Sequence, residues 1–153
     1  MGVKIQKILC PVDFSDCSAK ALQYAVELAG TLKAELTLLH VVDLQYASAY
    51  AASEVPNVLP EFDHIRESAR EEIEGMVEEC RRKLPGIAVN SLLVEGVPYH
   101  EIVEEAEKEE ADLVVMGTHG RTGLTHLLIG SVAERVVRNS ICPVLTVRHE
   151  EES

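Results

Sequence analysis

The sequence predicts an α/β protein, an open and mainly parallel sheet with helices packed on both of its faces. Three observations lead there. Short apolar runs rich in β-branched residues, such as Asp112-Leu-Val-Val-Met116, alternate with stretches whose apolar residues recur every three or four positions. That alternation marks β-α-β units, whose strands are parallel and whose crossovers are short and right-handed. At 153 residues the chain has the length of one domain, and it shows neither an internal repeat nor a compositional break. A glycine-rich stretch follows one strand directly, at the end where such sheets bind ligands.

Taken in order, Lys7-Ile-Leu-Cys-Pro-Val-Asp13 reads as the first strand and ends in the turn Asp13-Phe-Ser-Asp16. Leu22, Ala25, Leu28, Ala29 and Leu32 then mark a helix, with Ser15 or Asp16 as its cap and Gly30 near its carboxyl end. Glu35 to Val42 is the second strand. Residues 44–60, rich in alanine and serine, show no period and read as a variable, mobile excursion. Phe62, Ile65, Ala69, Ile73, Met76, Cys80 and Leu84 define a long helix with a charged outer face, ended by Pro85-Gly86. Ala88 to Val94 is the third strand. Tyr99, Ile102, Val103 and Ala106 mark the next helix, and Glu104, Glu105, Glu107, Glu109 and Glu110 are expected on its solvated face. Asp112 to Met116 is the fourth strand. A short helix from Val132 ends near Asn139, and Pro143 to Val147 is the fifth strand. The ordered core of this one domain, 1–153, is expected over about residues 5–148.

The charge balance limits the class of partner. A net charge of −12 argues against a nucleic-acid or anionic-membrane surface. The distribution is uneven, however. Between Gly117 and Arg148 four arginines (Arg121, Arg135, Arg138, Arg148) face Glu134 alone, a local balance of +3, so the rest carries −15. A small anionic ligand fits that pattern better than a polyanion. No apolar run is long enough to cross a bilayer, and the start lacks a signal-peptide core. Gln6 stands where a myristoylation signal needs Ser or Thr. Cys10, Cys17, Cys80 and Cys142 have no paired metal spacing and read as reduced, mostly buried side chains of a cytoplasmic protein.

Gly117-Thr-His-Gly120-Arg-Thr-Gly123, with a second glycine step at Gly130-Ser131, carries the functional signal. The first glycines leave a strand, and the last pair opens a helix. Glycine lets another group approach the backbone, and a helix start offers unpaired N–H groups with a positive partial charge. Both suit a phosphate chain. The competing reading is a flexible connection with ordinary turn glycines. No Gly-x-Gly-x-x-Gly follows the first strand and no Gly-x-x-x-x-Gly-Lys-Ser/Thr occurs, which removes the commonest nucleotide classes.

What remains, Gly117-x2-Gly120-x9-Gly130-Ser131 after the fourth strand, resembles the ATP-binding motif of the universal stress protein family. The resemblance covers nearly the whole chain. It extends to Lys7-Ile-Leu-Cys-Pro-Val-Asp-Phe-Ser15, Leu38-Leu-His-Val-Val-Asp43, Gly96-Val-Pro-Tyr-His-Glu-Ile102, Gly130-Ser-Val-Ala-Glu-Arg-Val-Val137 and Cys142-Pro-Val-Leu-Thr-Val147. It implies a five-stranded sheet of order 3-2-1-4-5 and a homodimer pairing the last strands through Val144, Leu145 and Val147. It implies a site for ATP, or else AMP or ADP, with Mg2+ or Mn2+ arriving on the nucleotide. Carried over by position, Pro11, Val12 and Asp13 line the site from the first strand, with Asp13 on the ribose hydroxyls. Val41 meets the adenine edge through its main chain. Met116, Gly117, His119, Gly120 and Arg121 contribute from the fourth strand and its loop. Gly120, Gly130, Ser131 and Val132 donate N–H groups to phosphate, with Ala133 beside them.

Three of these roles have an alternative. Asp13 is also suited to an Asx turn or helix cap, Ser131 to a plain N-cap, and His119 to filling the loop. Ala133 stands where nucleotide-binding members can carry Thr, so one hydroxyl is missing. Between Gly117 and Ser131 there is no Asp, Glu or Gln to orient water, only His119 and His126. A nucleotide-sensing dimer that acts on an unknown downstream partner is therefore favoured over a slow ATPase or self-phosphorylating enzyme. A structural dimer without nucleotide remains the third reading.

Overall fold

The computed structural model describes residues 2–43, 45, 60–120 and 128–149. Most of the excursion expected at 44–60 falls outside them, as does Arg121. The elements follow in strict alternation: β1 (Lys7–Pro11), α1 (Asp16–Leu32), β2 (Glu35–Asp43), α2 (Pro60–Lys83), β3 (Val89–Gly96), α3 (Pro98–Lys108), β4 (Leu113–Gly117), α4 (Ser131–Asn139) and β5 (Val144–Val147). They form one five-stranded parallel sheet of order β3-β2-β1-β4-β5. This is the α/β fold and the strand order expected.

The sheet is apolar on both faces, so its central strands are continuous hydrophobic runs instead of alternating ones. Residues of β1 and β4 divide by parity. Ile8, Cys10, Leu113 and Val115 face one core with α1 and α2, while Leu9, Val114 and Met116 face a second core with α3 and α4. At the centre of its contact with the first core α1 presents methyl groups, Ala21, Ala25 and Ala29, each fully buried, with Leu22, Val26 and Leu28 packed beside them. Such a stripe brings the helix axis close to the strands.

Boundaries differ slightly from expectation. Asp112 precedes β4, and its carboxylate accepts from the amides of Gln6 and Lys7 at 2.9 and 3.0 Å, tying β4 to the start of β1. One expectation fails. Glu105 was expected on the solvated face of α3, yet it is buried beside Ile102 and Ala106. It follows Ile102 by three positions and therefore shares the inward stripe, with Lys108 Nζ 3.7 Å from its Oε1. Among the described residues, no helix is long and apolar enough to cross a membrane.

Candidate functional site

The winding direction reverses between β1 and β4, and a crevice of about 380 Å³ opens there at the carboxyl ends of the strands. One wall is Pro11, Val12 and Asp13 from β1 and its turn. The opposite wall is Met116, Gly117, Thr118, His119 and Gly120 from β4, continued by Gly130, Ser131, Val132 and Ala133 at the start of α4. Leu39, His40, Val41 and Asp43 of β2 close a third side, with Pro98 and Ile102 of α3. Every residue expected here lines the crevice except Arg121, which lies outside the described residues.

The Asp13 turn is fixed by a ring of hydrogen bonds. Ser15 caps α1, its Oγ accepting from the Ser18 amide at 3.2 Å. The Ser15 amide (3.0 Å) and hydroxyl both donate to Asp13 Oδ1. Ser18 Oγ accepts from the Asp13 amide at 3.3 Å and donates to the Ser15 carbonyl at 3.1 Å. The Asx turn considered as the alternative for Asp13 is thus present, but it occupies one carboxylate oxygen. The other, Oδ2, crosses the crevice to Gly120, where an added Cβ would lie 2.5 Å from it.

The remaining glycines are also set by contact. A Cβ at Gly117 would meet Cys17 Sγ at 2.7 Å and the Cys17 backbone at 3.1 Å. A Cβ at Gly130 would meet the Thr118 carbonyl oxygen at 2.9 Å, the same oxygen that accepts from the Gly130 amide at 2.6 Å. That bond pins the end of the loop to β4. Gly130 is the N-cap of α4 and offers no side chain, so among the described residues no side chain caps the first-turn amides of α4. Ser131 follows the cap instead of serving as it. Ala133 is buried and packs into the second core, so the position that lacks a hydroxyl serves as helix packing. His119 Nδ1 lies 3.0 Å from Thr118 Oγ1.

Sequence reasoning overlooked Ser18, His40, Asp43 and Thr118. His40 had a readable signal, a polar side chain inside the apolar run of β2; it is buried, with Nδ1 2.7 Å from the Val12 carbonyl oxygen. The others depend on approach in three dimensions, which no spacing records.

With this geometry in place, similarity to known proteins is informative. The Universal stress protein family model matches residues 4–148. The chain belongs to the universal stress protein family. It is 40% identical to Universal stress protein MJ0531 of Methanocaldococcus jannaschii over 146 residues, 94% of this chain and 82% of that protein. The solved structure of MJ0577 from the same organism superposes with a TM-score of 0.78 at 33% identity, covering 98% of this chain and all (100%) of that one. A universal stress protein crystallised in complex with cAMP gives a TM-score of 0.64 at 26% identity, over 96% of this chain and 99% of that one. Solved structures of the family thus include a nucleotide complex in the same fold.

Proposed function

We propose that this universal stress protein binds ATP, with Mg2+ or Mn2+ carried by the nucleotide, in the crevice between β1 and β4. The observation that carries the reading is the division of the crevice into an anionic and an amide-rich end. Asp13 stands on the β1 side, and the uncapped amino end of α4 stands on the other. A carboxylate suits neutral ribose hydroxyls and repels phosphate, so the sugar belongs near Asp13. The triphosphate then runs toward Gly130, Ser131 and Val132, where each amide bond to a charged oxygen contributes about 1.5–3 kcal/mol. Val41 and Met116 supply apolar surface for the base, and Gly117, His119, Gly120 and Arg121 complete the loop side. The cAMP complex of a relative supports a nucleotide as the ligand class.

In this reading the protein is a binding module in a stress-response pathway, not a turnover enzyme, and a second copy pairs along β5. That strand is at the sheet edge, where unpaired backbone groups invite a partner strand, and Leu145 is exposed on it. Val147 points into the first core, so its share in pairing is through the backbone. Calorimetric titration with Mg·ATP, Mg·AMP and Mg·GTP tests the reading. Saturable binding of the adenine nucleotides, lost in Ser131→Asp, is expected. Heats no greater than dilution for all three at millimolar concentration refute it.

A further inference from the structure

The turn that carries Asp13 contains an uncommon backbone conformation. Phe14 has φ of 66°, in the left-handed region that a bulky side chain rarely adopts. Strain of this kind persists only where the surroundings hold it, and it concentrates at ligand sites. Here the surroundings are visible. The Phe14 ring stacks on His40, with centroids 4.2 Å apart and planes 25° from parallel. His40 is buried, and its Nδ1 lies 2.7 Å from the Val12 carbonyl oxygen. A carbonyl only accepts, so Nδ1 carries the proton and donates it. The Val12 amide donates to the Leu39 carbonyl at 2.8 Å. The residues before and after Asp13 are therefore both fastened to the middle of β2, while Asp13 itself is fastened to the start of α1 through its cap Ser15 and through Ser18.

We infer that Phe14 and His40 are positioning residues for nucleotide selection: the Phe14–His40 stack and the His40–Val12 hydrogen bond hold the Asp13 carboxylate where it distinguishes ribose from deoxyribose. The inference rests on the nucleotide reading above and adds to it the origin of sugar selectivity. A carboxylate already held in place loses no side-chain freedom on meeting the sugar, so its preference for a second hydroxyl is expressed in full. Release of the turn lets the carboxylate rotate toward water, and the preference shrinks.

The test is calorimetry on the full chain with Mg·ATP and Mg·2′-deoxyATP. Wild type is expected to prefer ATP by about tenfold or more, as befits a hydrogen bond to a charged group. Phe14→Gly keeps the left-handed turn but deletes the ring, and His40→Leu deletes the donor. Both are expected to bring the preference down to that of Asp13→Ala, with no further fall when His40→Leu is combined with Asp13→Ala. Phe14→Tyr retains the stack and is expected to retain the preference. If His40→Leu does not fold, His40→Phe, which keeps a ring against Phe14 but has no donor for the Val12 carbonyl, serves in its place. Variants that weaken both nucleotides by one common factor, leaving the preference intact, overturn the inference, because a purely structural role does that. A wild type without preference overturns it too. A wild type that binds neither nucleotide refutes the functional reading itself, and this inference with it.

Discussion

The close approach of Gly120 to Asp13 gives a quantitative prediction. In Gly120→Ala the new methyl would stand 2.5 Å from Asp13 Oδ2, where ordinary contact begins at 3.4 Å. The obstacle is the end of a side chain, so the cheapest response is rotation of the carboxylate. That rotation is opposed by the Ser15 amide and hydroxyl, which both donate to Oδ1. Each bond to the charged carboxylate contributes about 1.5–3 kcal/mol, so losing both costs about 3–6 kcal/mol. For a chain of this length that lowers Tm by about 6–24 °C. The assay is thermal unfolding followed by circular dichroism, run as a double-mutant cycle with Asp13→Ala. In the Asp13→Ala background no carboxylate stands opposite the methyl, so the same substitution is expected to cost under about 0.5 kcal/mol. An equal cost for Gly120→Ala in both backgrounds refutes the reasoning, because the penalty would then come from backbone conformation and not from Asp13.

Three further outcomes follow. Gly117→Ala is expected to destabilise by about 1–3 kcal/mol through overpacking, with Cys17→Ala restoring only part; the Cys17 backbone remains 3.1 Å from the new Cβ, and urea unfolding of the single and double variants reads this out. The Cys10 thiol is pushed well above its ordinary range by burial and, second, by Cys80, while burial also raises Cys80. Above about pH 8.5 the unfolded chain releases the Cys10 proton and the folded chain keeps it, so stability is complete below that pH and falls as pH rises. Urea unfolding between pH 7 and 10 is expected to show this decline, and Cys10→Ala to flatten it. Leu145→Lys places a charge on the exposed edge strand and is expected to give a monomer in light scattering at micromolar concentration where wild type gives a dimer.

The sheet was legible because its signals are local and redundant. Leu38-Leu-His-Val-Val and Leu113-Val-Val-Met are short runs with β-branched residues that fit a strand buried on both faces, and the helices between them carry clear three- and four-residue spacing. Glu105 was misread because side-chain type, not position in the stripe, decided its assignment. In the crevice, the glycines could be found from sequence since a loop between strand and helix needs them. Their individual reasons could not: Gly117 yields to Cys17, Gly120 to Asp13 and Gly130 to Thr118. These partners lie between 12 and 107 positions away, at distances only the folded chain sets. Phe14 was unreadable for a different cause, because a left-handed phenylalanine contradicts the local preference on which sequence reasoning depends.

The three alanines that face the sheet from α1 have a consequence for the far end of that helix. Ser15 and Ser18, which steady Asp13, ride on its first turn, so the spacing of Ala21, Ala25 and Ala29 from the strands sets how far that turn leans over the crevice. A single methylene grafted onto Ala25 would overpack that contact and push the helix backbone away from the strands. The mouth of the crevice would change shape although no residue lining it had been altered.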